Sequence, residues 1–334
     1  MKLSNVFRVG VLPVLGAWLG CNAIIGLELG EPEDAGSSAA SATTSATSGS
    51  GGAGGAGGAT TSATSGGGGA GGVGGVCTTF NSTFVAGSLT NSGFADGQGD
   101  VAQFGYVLAM RIDSTTGDVL ILDGRIRRMT PGGLVTTIAT SVSPVGYANL
   151  GVDSVGNVYY LSSTDLHRIL PAGIETVIPV GPLPTVHSFT VGPDDQGYIA
   201  SMGGLSRLDL ATGATTVLFD GSDLSVPTDL AVDAQGNVLI ADVNNQQIKK
   251  YDAALGVETL FLANSYALGI ALDGAGNVYA NGNQFSPTGA LLASGYAPGS
   301  YGIAVDTAGN VYTALGENTD EWAYSIVVSP PCGP

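Results

Sequence analysis

The sequence predicts an all-β protein: a six-bladed β-propeller of four-stranded antiparallel blades, its last blade closed by an N-terminal strand, behind a disordered N-terminal linker. Three observations predict it. A turn recurs six times, most clearly as Asp233-Ala234-Gln235-Gly236-Asn237, and its glycines at 117, 156, 197, 236, 276 and 309 are spaced by 39, 41, 39, 40 and 33 residues. A repeat of about 40 residues holding several strands is the signature of a propeller. Apolar, β-branched runs flank each turn, as Leu230-Ala231-Val232 and Val238-Leu239-Ile240 do here. No convincing helical period occurs after residue 30.

Each repeat reads as one blade. The innermost strand ends in a segment such as Ala231-Val232-Asp233, and the second follows the Gly-Asn. Asp accepts a backbone hydrogen bond two residues on, and Gly takes positive φ without steric cost. The third strand is a basic-apolar run such as Ile126-Arg127-Arg128-Met129, and the outer strand alternates, as in Leu134-Val135-Thr136-Thr137-Ile138. The inner strands are apolar on both faces because a neighbouring blade covers each face. One blade cannot bury those faces alone, so the ring must close.

These segments resemble the NHL-repeat propellers. The resemblance is strongest in the first blade and its lead-in, through Ala86-Gly87-Ser88, Phe94-Ala95-Asp96-Gly97, Ala102-Gln103-Phe104, Arg125-Ile126-Arg127-Arg128 and Thr130-Pro131-Gly132-Gly133. It covers residues 80 to about 328 and implies a scaffold with many uses rather than one activity. Two blades depart from the pattern: Gly192 stands where the others have Asp, and Asn281 to Gly289 is short and irregular.

Three segments are expected along the chain: 1–21, 22–76 and 77–334. The first reads as an export signal, with Lys2 and Arg8 ahead of an apolar core from Val9 to Leu19 too short for a stable span. Trp18-Leu19-Gly20-Cys21 resembles a bacterial lipobox, which implies lipidation of Cys21; the alternative is an ordinary secretory signal cut elsewhere. The resemblance implies a membrane anchor in the cell envelope, with Asn22 favouring the outer membrane, and otherwise a periplasmic or secreted protein. After the acidic patch Glu28 to Asp34, residues 35–76 are almost only Gly, Ala, Ser and Thr. Such a composition cannot repay the entropy of ordering, so a tether is expected, spanning roughly 35 Å on average.

Thr83 to Gly87 reads as an outer strand placed before the first inner strand, and Ala323 to Val328 as a third strand with no fourth after it. The two should share the sixth blade and so remove a sheet edge. Of three cysteines, Cys77 and Cys332 flank these strands and are expected to pair, stabilising the ring by about 4–5 kcal/mol through loop closure.

The chain carries 10 Lys and Arg against 27 Asp and Glu, and within 77–334 the balance is 8 against 23. That excludes the clustered cations a nucleic-acid backbone needs. No phosphate loop, zinc spacing or nucleophile elbow occurs, so no cofactor is expected. A monomer is expected.

Candidate ligand contacts lie where the inner strands begin, at one channel mouth: Tyr147, Asn149, His187, Thr228, Asp229 and Tyr301, with Tyr266 just upstream of the fifth inner strand. Tyr and Asn combine apolar area with hydrogen bonds, and such a mouth suits a glycan, peptide or protein. The alternative is a divalent-metal-dependent hydrolase or lyase centred on His187 and Asp229, for which lactonase-type and lyase-type propellers are the pattern. His167, in a third strand, is expected on the outer surface. Arg125, Arg127 and Arg128 are expected at a solvated strand edge.

Overall fold

The computed structural model describes residues 82–140, 142–181, 183, 185–296, 301–317 and 323–331. The segments expected to be an export signal and a tether, with Cys21, Cys77 and Cys332, lie outside these residues.

Six antiparallel sheets surround a central channel. Their innermost strands are Ala109–Ile112, Gly151–Val152, Val186–Val191, Pro227–Val232, Ile270–Leu272 and Ile303–Val305. Five blades have four strands. The first has five, because Gly97–Gln98 adds outside Leu134–Ala139. Among the described residues there is no α-helix, only a one-turn 3-10 segment at Gly99–Val101.

The core is distributed. Six hydrophobic clusters each join side chains from two neighbouring blades, such as Phe104, Met110 and Ile121 with Tyr312 and Ile326. Each blade therefore depends on the next, and closure decides whether the ring holds. The strand Thr83–Gly87 pairs with Ala323–Ser329, opposing Thr83 to Val328, Phe84 to Val327 and Ala86 to Ile326. Ser82 Oγ and Ser329 Oγ share a hydrogen bond of 2.7 Å beyond this ladder. Gly87 has φ +103°, and a Cβ there would lie 2.4 Å from the Tyr324 carbonyl oxygen.

The turn chemistry holds in four blades; the first has a longer turn without Asn, and the third shifts. In Asp153, Asp233, Asp273 and Asp306, Oδ1 accepts backbone N–H groups two and four residues on, while Oδ2 accepts the Asn side chain. In the third blade the positive φ belongs to Asp195 (+55°), not Gly197, which lies within the strand Gln196–Ser201. With Asp195 the gaps become 39, 39, 41, 40 and 33 residues, so the period of about 40 is unchanged. Gly192 leaves room that Asp194 fills: a Cβ at 192 would sit 2.7 Å from Asp194 Oδ1. Asp194 then receives the Tyr198 hydroxyl at 2.9 Å, as Asp153 receives Tyr159 at 3.0 Å.

The expectation of a solvated arginine edge is corrected. Arg127 is fully buried, bonded to Asp96 at 2.6 Å and Asp123 at 3.2 Å and to the carbonyls of Ala95 and Gln103. Its guanidinium also lies 5.6 Å from the Phe104 ring centre. The Phe94-Ala95-Asp96-Gly97 segment is thus a clamp: Asp96 additionally accepts Thr137 N at 3.0 Å and Thr137 Oγ1 at 2.9 Å. Burial works to raise the Asp96 carboxyl, but the bonds from Thr137 and Arg127 outweigh it and hold it below the usual carboxylate value. Burial raises the fully enclosed Asp123 carboxyl despite Arg127. Arg128 also faces inward, to Asp113 at 2.7 Å and Asp118 at 3.0 Å. Arg125 lies 4.5 Å over the Phe94 ring. Arg127→Met should destabilise the protein by about 3–5 kcal/mol, because Asp123 would be left buried and uncompensated. Urea melts check this, and a loss below about 1 kcal/mol would count against the clamp.

Candidate functional site

The channel has two ends with different chemistry. At the end where the inner strands begin, tyrosines gather. Tyr147 and Tyr301 have parallel rings (2° between planes) with centres 6.2 Å apart. Tyr106 lies 5.9 Å from Tyr301 and 5.5 Å from Tyr324, while His187 lies 6.3 Å from Tyr147. Tyr266 is 54% exposed and close enough to act on the Tyr301 hydroxyl electrostatically. Tyr147 is 36% exposed; Tyr106, His187 and Tyr301 are half-buried. The mouth is therefore an aromatic surface with phenolic hydroxyls.

Burial and the neighbouring hydroxyls push both Tyr106 and Tyr301 up to about 12, with Tyr106 hydrogen-bonded to Tyr324 and Tyr301. A folded-state value above the ordinary 10 means the neutral phenol is favoured in the fold. The associated stability is complete below pH about 10 and is lost as pH rises through about 12. In a tyrosinate absorbance titration, a wave near pH 12 should coincide with unfolding. Uniform ionisation of all tyrosines near pH 10 in folded protein would contradict the cluster.

The other expected mouth residues form the wall behind this surface. Asn149 is fully buried; its Nδ2 donates to the carbonyls of Val145 (2.7 Å) and Leu161 (2.8 Å), and its Oδ1 accepts Leu161 N at 2.8 Å. Thr228 is 1% exposed, its Oγ1 within 3.4 Å of the carbonyls of Ala241 and Ala267. Asn149 and Thr228 use their polar atoms on backbone, which secures the wall.

The segment Tyr147-Ala148-Asn149 departs from the ring pattern. Tyr147 N donates to His187 O at 2.6 Å, Ala148 N to Thr228 O at 3.2 Å, and Phe189 N returns to Ala148 O at 2.9 Å. The second blade thus sends its chain across the lumen to the third and fourth. Its inner strand is left with only Gly151–Val152. Gly146 permits the crossing: it has φ +79°, and a Cβ would lie 2.3 Å from His187 O.

Asp229 lies at the same depth with no exposure. It receives Arg111 Nη2 at 2.6 Å, Leu230 N at 2.8 Å and Ile270 N at 3.0 Å. Arg111 comes from the first blade and also reaches Thr190 Oγ1 of the third at 3.1 Å and Met110 O at 2.9 Å. Together these groups form a septum across the channel. Burial pushes the Asp229 carboxyl above the ordinary range, against the pull of the Arg111 charge. Sequence reading named Asp229 and missed Arg111. A signal was available: the register position of Arg111 holds Gly151, Thr190, Ala231, Ala271 and Ala304 in the other blades, so a long side chain there must cross the lumen.

Both Asp229 oxygens are committed inside the septum, and His187 Nδ1 lies 3.1 Å from the Thr185 carbonyl. Among the described residues no three His, Cys, Asp or Glu side chains converge. His167 lies in the outer half of the second blade, stacked on Tyr160 at 4.4 Å and bonded to Glu175 at 2.7 Å.

Beyond the septum the channel opens towards the turns as a cavity of about 440 Å³. Its lining includes one branched aliphatic side chain per blade, together with Arg111, Thr190, Ser114, Asp153 and Ser154.

Comparison with known proteins follows the geometry. Residues 224–251 match the NHL repeat family. No curated protein matches the sequence. Among solved structures, a structural genomics protein of unknown function from Bacteroides thetaiotaomicron is similar with TM-score 0.60 at 16% identity, over 75% of this chain and 76% of that one. A gluconolactonase from Xanthomonas campestris is similar with TM-score 0.55 at 13% identity, over 69% and 87% of the two chains. A chain of a nidogen/laminin complex is similar with TM-score 0.50 at 16% identity, over 59% and 84%. An enzyme and a component of a protein assembly share this architecture, so the likeness speaks to fold alone. The chain is a six-bladed β-propeller that carries an NHL repeat.

Proposed function

We propose that the protein is a binding module, tethered at the cell surface by its N-terminal segment, which presents the tyrosine mouth to a glycan, peptide or protein. The observation that carries this reading is the parallel Tyr147–Tyr301 pair beside Tyr106, Tyr266 and His187. Tyrosines offer large, rigid contact area at low entropic cost, and their hydroxyls supply hydrogen bonds. Behind them Asn149, Thr228 and Asp229 spend their polar atoms within the protein, which steadies the platform and favours recognition over turnover.

Glycan and peptide arrays probed with the full chain test the reading. A saturable ligand is expected, and Tyr147→Ala with Tyr301→Ala should weaken it by about tenfold to a hundredfold in protein shown to be folded by near-UV circular dichroism. Binding that survives both substitutions would move the site away from this mouth. Steady turnover of a lactone or ester abolished by His187→Ala would favour an enzyme instead.

A further inference from the structure

The end of the channel opposite the tyrosines carries a second inference, independent of the first. Ile112, Val152, Val191, Val232, Leu272 and Val305 are the last residues of the six inner strands. All six line the cavity of about 440 Å³, and all six remain partly exposed to it. Apolar side chains left wet in a concave space of this size are the usual wall of a small-molecule site. The space exists because Ala231, Ala271 and Ala304 stand one residue deeper, where larger side chains would fill it.

The floor sets the ligand's polarity. Arg111 and Thr190 line it. Arg111 has five N–H groups, and four hydrogen bonds run to Thr190, Met110, Asp229 and Leu230, which leaves one Nη1 hydrogen. Its charge is already matched by Asp229 at 2.6 Å. An anion would gain little there and would meet the aspartate-rich turns that follow each wall residue, in a chain of net charge −17. A neutral acceptor can take the remaining hydrogen without disturbing the pair.

We propose that this end of the channel binds a compact, uncharged apolar molecule carrying one hydrogen-bond acceptor, with its apolar body in the six-residue ring and its acceptor towards Arg111. The test uses full-length protein, methyl-labelled at Ile, Leu and Val, titrated with camphor, a rigid bicyclic ketone. Camphor-10-sulfonate serves as the anionic counterpart. Saturable shifts confined to the methyls of the ring residues and their immediate neighbours are expected with camphor, and none with the sulfonate. Val232→Phe or Val305→Phe, which project into the lumen, should weaken camphor binding by about tenfold or more. The absence of saturable shifts, shifts centred elsewhere, or equal binding of the sulfonate would each overturn the proposal. The wild-type titration decides the matter even if a filling variant fails to fold.

Discussion

Arg111→Met is expected to destabilise the propeller by about 3–5 kcal/mol, which lowers the melting temperature by about 10 °C for a domain of this size. The reason is asymmetric. Arg111 is 13% exposed in its side chain, but Asp229 is fully enclosed. Removing the guanidinium leaves a carboxylate with two backbone N–H donors and no countercharge. Burial already raises that carboxyl while Arg111 is present. Without Arg111 it should rise further, so the variant should lose most stability at neutral pH and recover as acid protonates Asp229. The sign follows from proton counting: a raised carboxyl makes the folded state bind more protons than the unfolded one, so stability falls as pH rises above about 4. Adding Asp229→Asn removes the charge and keeps one acceptor for Ile270 N. The double variant should therefore recover more than half the loss. Thermal melts of the four proteins at pH 5 and pH 7.5 measure the cycle. If Arg111→Met melts within about a degree of wild type, the pair does not bridge the blades as described.

Removal of the closing strand should have the larger effect. A chain beginning at Leu89 lacks Thr83–Gly87 and leaves Ala323–Ser329 as the exposed outer edge of the sixth blade. It also loses Ala86, which is fully buried in the cluster that joins the sixth and first blades. Loss of one blade edge exposes apolar surface on both neighbours, so the shortened chain should fail to fold as a monomer and should associate through the free edge. Near-UV circular dichroism and light scattering read this directly. Within the intact chain, Ala86→Asp tests the same contact by placing a carboxylate in that cluster, at a cost above about 4 kcal/mol. A shortened chain that keeps the wild-type transition would show that the ring does not need this strand.

The role of Arg127 follows the same logic as that of Arg111, on the outside of the ring. Both arginines look like surface residues when read as a third strand or as a single strand residue. In the fold each serves as a tie between segments distant in sequence: Arg111 to Asp229 over 118 residues, Arg127 to Asp96 over 31.

Much of the architecture was legible in the chain itself. The turn period, the apolar runs beside it and the misplaced outer strand at Thr83 determined six blades and their closure, because these depend on backbone conformation and local alternation. The one slip in the turns, Gly197 for Asp195, arose where Asp194 substitutes for the missing aspartate and a non-glycine residue takes positive φ. The site was legible in part. Tyr147, His187 and Tyr301 stand at the surface where the strand starts placed them. The burial of Asn149, Thr228 and Asp229, the septum through Arg111, and the aliphatic chamber beyond it were decided by tertiary structure. Those features depend on which groups meet across the lumen, and a one-dimensional repeat carries no measure of distance from one blade to the blade opposite.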